Sequence, residues 1–255
     1  MNTRTRTRTG ELHRAQAAAA RRRQRQLRLI GGIGAVVIVG LLVAIGVVVA
    51  NSVSADETPS ASGQLIAPAN LTDTAAIPAG QASAPVTVEI YLDYMCPACG
   101  KFEEANGGEL SRLITTGTVR VALRPISFLD RTSQGTRYST RAANAMATVA
   151  DRAPAAVWAF NTALYENQPE EGTRGLTDDE IATRATKAGV PKDVADAFAR
   201  RIFEPWVAKS TDKAFTSGVE GTPTIKINGT VFTGDVYTTG PLTRAIEAAA
   251  SGTQQ

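Results

Sequence analysis

Two cysteines three positions apart are the residues of this chain best suited to do chemistry. They lie in the stretch YLDYMCPACGKF, residues 91–102, and the 255 residues contain no cysteine besides Cys96 and Cys99. Two sulfurs at this spacing can form a disulfide and exchange it with an outside thiol through a mixed disulfide. A disulfide that closes so short a loop adds little stability, so the pair indicates a redox-active site rather than an inert staple.

The rest of the composition excludes several other kinds of site. The only histidine, His13, lies in an arginine-rich N-terminal segment, so the main part of the chain has no imidazole base for Ser-His-Asp or Cys-His catalysis. Structural zinc usually needs four Cys or His ligands, and a disulfide scaffold needs several cysteine pairs. We therefore expect neither a metal nor a cofactor.

The N-terminal 50 residues are typical of a membrane anchor. Residues 1–28 carry nine arginines and one acid, and the next 22 residues, 29–50, have no charged side chain. A helix of that length spans about 30 Å, the hydrocarbon thickness of a bilayer. The positive-inside rule then predicts a single transmembrane helix, with a cytoplasmic tail and all later residues exported. A cleaved signal peptide is the alternative, because Val-Ser-Ala at 53–55 fits a cleavage site.

The distribution of charge argues against a nucleic-acid partner. Arginines beside a membrane span are explained by topology and by anionic lipid. Without residues 1–28, the 27 basic and 24 acidic residues of the chain become 18 and 23, a net charge of about −5. The exported part therefore lacks the basic surface that polyanions require.

The exported part divides into a linker and one folded domain. Residues 51–84 are rich in Ser, Ala, Thr and Pro and indicate a flexible linker, with one short strand near residues 75–77. Residues 85–251 are enough to bury one hydrophobic core. The strands Val86–Tyr94 and Val119–Ile126 should flank a helix, and such a βαβ unit normally has parallel strands.

The periodicity then predicts a mixed α/β domain with a helical insertion. The helix after the first strand begins at Pro97, and Gly107-Gly108 should break or kink it. Residues 132–216 are helical, with a capping box at Thr177 and one helical face formed by Val194, Phe198 and Ile202. A hairpin follows, with strands at 224–227 and 230–233 around an Asn-Gly turn, and a helix over 241–250 closes the domain.

The predicted elements place Cys96 where a strand ends and a helix begins. Unpaired N–H groups and the helix dipole favour a thiolate there, so the pKa of Cys96 should be low. Cys99 lies one turn later and can resolve a mixed disulfide. Pro223 opens a later strand, where a cis Thr222–Pro223 bond or an edge position would accommodate it.

Together, "YLDYMCPACGKFEE", a helical insertion and "AFTSGVEGTPTIKING" resemble the DsbA-like branch of the thioredoxin superfamily, in particular membrane-anchored forms from actinobacteria. The resemblance implies a thioredoxin-like fold, with Cys96 as the nucleophile and Cys99 as the resolving cysteine. It implies that Pro223 is cis and packs against the disulfide. Thr222 would offer its backbone to the substrate, and the dipeptide Pro97-Ala98 would tune the redox potential.

One position departs from that family. Many relatives place a buried acid six residues before the first cysteine, and here that residue is Ile90, while Glu89 should face the other side of the strand. Water or another carboxylate would then accept the proton of the resolving thiol. Asp93 is one candidate, and a solvated acid at the strand end is the plainer interpretation. Tyr94 could border a peptide groove.

The leading functional hypothesis is a membrane-tethered oxidase that introduces disulfides into exported proteins with reduced cysteines. The resemblance implies a membrane reoxidant of the DsbB or VKOR-like type, and we expect a monomer. An isomerase or reductase using the same cysteines is a second hypothesis. A tethered module that binds exported clients without catalysis is a third, and it would keep its function in Cys96→Ser.

Overall fold

The computed structural model describes residues 65–252 of the chain. The predicted tail, the predicted membrane helix at 29–50 and most of the predicted linker lie outside those residues. Within residues 65–252 no helix combines the length and the apolar character needed to cross a membrane.

A five-stranded mixed sheet forms the centre of the domain, in the order β1-β3-β2-β4-β5. Its strands are β1 (Ile77–Ala79), β2 (Val86–Leu92), β3 (Val119–Pro125), β4 (Thr224–Ile227) and β5 (Thr230–Val231). Strands β2 and β3 are parallel and the other neighbours are antiparallel. The predicted βαβ unit is therefore confirmed. The folded part also begins before the predicted start at residue 85, because Ile77 in β1 is fully buried.

Helix α1 (Pro97–Thr115) connects β2 to β3 and runs without interruption through Gly107-Gly108. The predicted break is therefore wrong. A side chain at Gly107 would bring a Cβ within 2.8 Å of Glu103 Oε1, whereas nothing lies within 4 Å of that position at Gly108. Gly107 thus provides room for a buried carboxyl on the preceding turn.

The predicted helical insertion between β3 and β4 is confirmed. Its helices are α2 (Tyr138–Arg152), α3 (Val157–Glu166), α4 (Asp178–Lys187), α5 (Lys192–Ala195) and α6 (Glu204–Thr216). The capping box at the start of α4 is present, with Thr177 Oγ1 accepting from the Glu180 N–H at 3.2 Å and Glu180 Oε2 accepting from the Thr177 N–H at 2.8 Å.

Two predicted details of the periphery differ from the structure. Ile202 is 43% exposed and does not continue the buried face of Val194 and Phe198. The reason is that α5 ends at Ala195 and that Arg201 takes a left-handed φ of 52°, which turns the chain. The Asn-Gly turn is present, but β5 stops two residues earlier than predicted, and helix α7 (Pro241–Gly252) closes the domain.

Candidate active site

Cys96 lies at the junction of β2 and α1, as the sequence predicts. The strand ends at Leu92, a turn follows in which the Cys96 N–H donates to the Asp93 carbonyl at 3.0 Å, and Pro97 is the first residue of the helix. The Cys96 carbonyl accepts from the N–H groups of Cys99 at 3.0 Å and Gly100 at 3.2 Å. The sulfur is therefore carried by the residue that caps the helix, where backbone N–H groups are unpaired.

The fold brings the predicted Thr222-Pro223 segment to the same place. The Thr222–Pro223 peptide bond is cis. Cys96 Sγ lies 3.4 Å from the Thr222 carbonyl oxygen, to which the thiol donates when it is protonated. Thr222 Oγ1 is buried and has no hydrogen-bond partner among the described residues. Residues separated by more than a hundred positions in the chain thus meet at one sulfur atom.

The two cysteines differ sharply in their environment. A hydrogen bond from the Cys99 side chain is the main reason that the pKa of Cys96 falls to about 6, and it outweighs the opposing effect of burial. The N–H groups of Cys99 and Ala98 lower this pKa further. Burial raises the pKa of Cys99 well above its ordinary value. At neutral pH the arrangement therefore holds a thiolate at Cys96 and a thiol at Cys99.

An open cleft of about 690 Å³ gives access to Cys96. Its walls are largely apolar, with one cation and one acid at the rim, and they include Pro97, Ala98, Lys101, Phe128, Leu129, Glu171, Thr222 and Tyr237. A larger groove of about 1180 Å³ lies between α1 and the insertion, but neither cysteine lines it, so the chemistry belongs to the smaller cleft. Nothing in the local sequence indicated Phe128, Leu129 or Tyr237, because each reaches the cleft from a loop.

Asp93 is fully buried, so its interpretation as a solvated acid is wrong. Its carboxylate accepts from the N–H groups of Met95 and Leu129, both at 2.8 Å, and from Ser139 Oγ at 2.7 Å. Burial outweighs these bonds and raises the pKa of Asp93 to about 6. The residue therefore ties the turn before Cys96 to the Leu129 wall of the cleft.

The other acids near the predicted strand behave differently. Glu89 forms an ion pair with Arg124 at 2.6 Å, and Ile90 is buried in the core, so the departure from the family pattern at this position is present in the structure.

Sequence analysis missed Glu103, whose buried carboxyl accepts from Thr162 Oγ1 at 2.9 Å and from Asn161 Nδ2 at 3.2 Å. Burial raises the pKa of Glu103. Its place four residues after Cys99, on the same helical face, was the available signal.

Tyr94 does not border a groove, because only 1% of it is exposed. Its hydroxyl donates to Asn161 Oδ1 at 3.2 Å, and its ring lies 5.3 Å from that of Tyr165. The aromatic residue beside the motif therefore packs the insertion against the sheet.

Comparisons with known proteins agree with this geometry. Residues 72–248 match the family model described as thioredoxin. The solved MdbA protein from Actinomyces oris, a thiol-disulfide oxidoreductase, aligns with a TM-score of 0.61 and 27% identity, covering 74% of this chain and 94% of that one. Disulfide bond formation protein D of Bacillus subtilis is 29% identical over 157 residues, 60% of this chain and 67% of the relative.

A second kind of relative is much longer than this chain. The serine/threonine-protein kinase PknE of Mycobacterium tuberculosis is 32% identical over 114 residues, which are 43% of this chain. The chain spans about a fifth of the length of that kinase. The region that matches this chain therefore occurs in relatives of different total length.

Proposed function

The chain belongs to the thioredoxin family, and from that premise we propose that it is a thiol-disulfide oxidoreductase that oxidises the cysteines of exported proteins through Cys96 and Cys99. One observation carries the proposal. Cys96 Sγ lies at an open cleft, 3.4 Å from the Thr222 carbonyl, and Cys99 lies buried one helical turn later; the pKa of Cys96 is lowered and that of Cys99 is raised.

The reaction consists of two exchanges. In the oxidised enzyme Cys96 and Cys99 share a disulfide, and a client thiolate attacks Cys96 Sγ. The bond between the two enzyme sulfurs breaks, and its electron pair leaves on Cys99, which takes up a proton. A second client thiolate attacks the client sulfur of the mixed disulfide, the client disulfide forms, and Cys96 leaves as a thiolate. The two electrons lost by the client remain on the enzyme as the reduced pair.

The surrounding residues support the direction of this reaction. A low pKa at Cys96 makes it a good leaving group and stabilises the reduced enzyme, which makes the oxidised enzyme a stronger oxidant. Ala98 contributes one of the N–H groups that favour the thiolate, Pro97 before it has no N–H, and this dipeptide thereby tunes the potential. The Thr222 carbonyl and Pro223 border the place where an extended client segment would lie beside the mixed disulfide.

The site needs a supply of clients and an oxidant. The charge-free segment 29–50 after an arginine-rich tail supports a membrane anchor. The domain would then lie outside the cytoplasm and be joined to the anchor by a linker. Exported proteins with reduced cysteines are then the clients. A membrane quinone reductase of the DsbB or VKOR-like type takes the two electrons, and the enzyme works as a monomer.

The test uses the full chain in detergent with a reduced, unfolded secreted protein that regains activity only when its disulfides form. We expect catalysed oxidation with glutathione disulfide as terminal oxidant, loss of it in Cys96→Ser, and an accumulated mixed disulfide in Cys99→Ser. Oxidation no faster with the wild type than with Cys96→Ser would leave only the binding-module hypothesis. A reduction potential near that of cytosolic thioredoxin would indicate a reductase, and faster repair of a scrambled client than oxidation of a reduced one would indicate an isomerase.

A further inference from the structure

A side chain of the helical insertion reaches the start of the active-site helix. Gln168 lies in the loop between α3 and α4, and its Nε2 donates to the carbonyl of Cys96 at 2.9 Å and to the carbonyl of Tyr94 at 3.2 Å. One amide group thus bridges the end of β2 and the first residue of the redox motif, although it is 72 positions away from Cys96.

Gly100 makes room for this contact. A Cβ at Gly100 would lie 2.2 Å from Gln168 Oε1, closer than carbon and oxygen can approach. The two carbonyl acceptors require the NH₂ group of the amide to point toward Cys96, which turns the oxygen toward Gly100. A glycine in the first turn of a helix lowers the stability of that helix. Gly100 is explained by the Gln168 amide, which occupies the space that a Cβ would fill.

The loop that carries Gln168 is itself held in place. Gln134 Nε2 donates to the Gly172 carbonyl at 2.8 Å, and Thr136 Oγ1 donates to the Arg174 carbonyl at 2.5 Å. Glu171 of the same loop lines the cleft at Cys96. The insertion therefore presents Gln168 from a fixed loop rather than from a free side chain on the surface.

We propose that Gln168 is a positioning residue for the redox reaction, which holds the Cys96 backbone so that its sulfur is oriented for exchange and its carbonyl dipole is neutralised. The proposal rests on the proposed function of Cys96. The Cys96 carbonyl is the negative end of a dipole on the same residue as the sulfur, and Gln168 adds a third donor to it beside two helix N–H groups. Without this donor the carbonyl opposes the thiolate and the first turn of α1 loosens.

The titratable and charged groups around Cys96 come from every element that faces it. They are Asp93 before the helix, Cys99 and Lys101 on it, Glu171 on the insertion loop and Tyr237 before α7. Variants at Gln168 or Gly100 leave all five unchanged. A shift in the titration of Cys96 in Gln168→Met, which adds no charge, therefore reports the loss of the amide donor.

The test compares the reduced full chain with Gln168→Met, which keeps the length of the side chain without a donor, and with Gln168→Glu, which turns an acceptor toward the two carbonyls. The rate of iodoacetamide reaction at Cys96 is measured against pH, together with kcat/KM for client oxidation. We expect the half-reaction pH to rise in Gln168→Met and to rise further in Gln168→Glu, with kcat/KM lowered roughly threefold to tenfold in Gln168→Met.

A double-mutant cycle tests the same contact from its other side. Gly100→Ala alone should lower kcat/KM, because its Cβ clashes with the Gln168 amide. In the Gln168→Ala background the same substitution should lower kcat/KM no further, because the amide is absent. Gly108→Ala on the open face of α1 is the matched control and should leave the titration of Cys96 unchanged. A wild-type pH profile in Gln168→Met would overturn the proposal, even if the melting temperature fell or the added charge of Gln168→Glu shifted the profile. Client oxidation by the wild type shows separately that the proposed function stands.

Discussion

Removing the Cys99 thiol should raise the pKa of Cys96 strongly, because the hydrogen bond from Cys99 is the largest cause of its low value of about 6. A hydrogen bond to a charged group contributes about 1.5–3 kcal/mol, and about 1.4 kcal/mol corresponds to one pH unit. In Cys99→Ala the pKa of Cys96 should therefore rise to about 7 to 8. At pH 6 the thiolate fraction falls from about one half to between about one tenth and one hundredth.

The assay is the rate of iodoacetamide reaction of the reduced protein between pH 4 and 9. Cys99 is only 1% exposed, so the wild-type signal comes from Cys96. At pH 6 we expect Cys99→Ala to react roughly fivefold to fiftyfold more slowly than the wild type. Cys99→Ser keeps a hydroxyl donor and is the matched control, with an intermediate profile. Identical profiles for Cys99→Ala and the wild type would refute the assignment of the low pKa to this hydrogen bond.

Three further predictions concern stability. The unfolding free energy of the reduced wild type, measured relative to Cys96→Ser, should rise between about pH 6 and pH 9, because the fold lowers the pKa of Cys96 from 9.0 to about 6 and the benefit disappears as the pH falls through that value. Gly108→Ala should stabilise α1 by about 0.5–1 kcal/mol in urea unfolding, whereas Gly107→Ala should destabilise it. Glu103→Ala should cost about 1–3 kcal/mol, and Glu103→Gln less.

Each of these three has an opposite result that would contradict it. A pH-independent difference from Cys96→Ser would mean that the fold does not favour the thiolate. Equal effects of alanine at Gly107 and Gly108 would mean that the contact with Glu103 Oε1 does not decide what Gly107 tolerates. An unchanged unfolding free energy in Glu103→Ala would mean that its bonds to Asn161 and Thr162 have no net value.

Local sequence patterns determined most of the fold. The β-branched runs at Val86 and Val119 and the capping box at Thr177 specify their elements through near neighbours, and these elements match the structure. The prediction of a break at Gly107 was wrong because the glycine is needed there for another purpose. It leaves space for the Glu103 side chain of the same helix, which packs against it only in the folded core. Ile202 was misread because a single left-handed residue, Arg201, ends the helical periodicity.

The site was predictable where its residues are adjacent in the chain. Cys96 and Cys99 identify themselves by spacing, and the position of Cys96 at a helix start follows from the strand before it. Apart from the Thr222-Pro223 segment, which the resemblance implied, the long-range contacts of the site gave no such signal. Burial of Asp93 depends on Leu129 and Ser139, and the contact of Gln168 with Cys96 depends on how the insertion folds back over the motif. Such residues look like surface polar residues until the tertiary structure is known.

The outer strands of the sheet have a consequence for the proposed oxidation of unfolded clients. An exposed sheet edge recruits extended polypeptide by main-chain pairing and so seeds aggregation. Here the edges are β1, three residues long with Pro78 at its centre, and β5, only two residues long. A proline without an N–H group and a strand of two residues offer too few partners for a client to add itself to the sheet. For the proposed oxidase, we therefore expect unfolded clients to engage the cleft at Cys96 rather than to extend the sheet and co-aggregate with the protein.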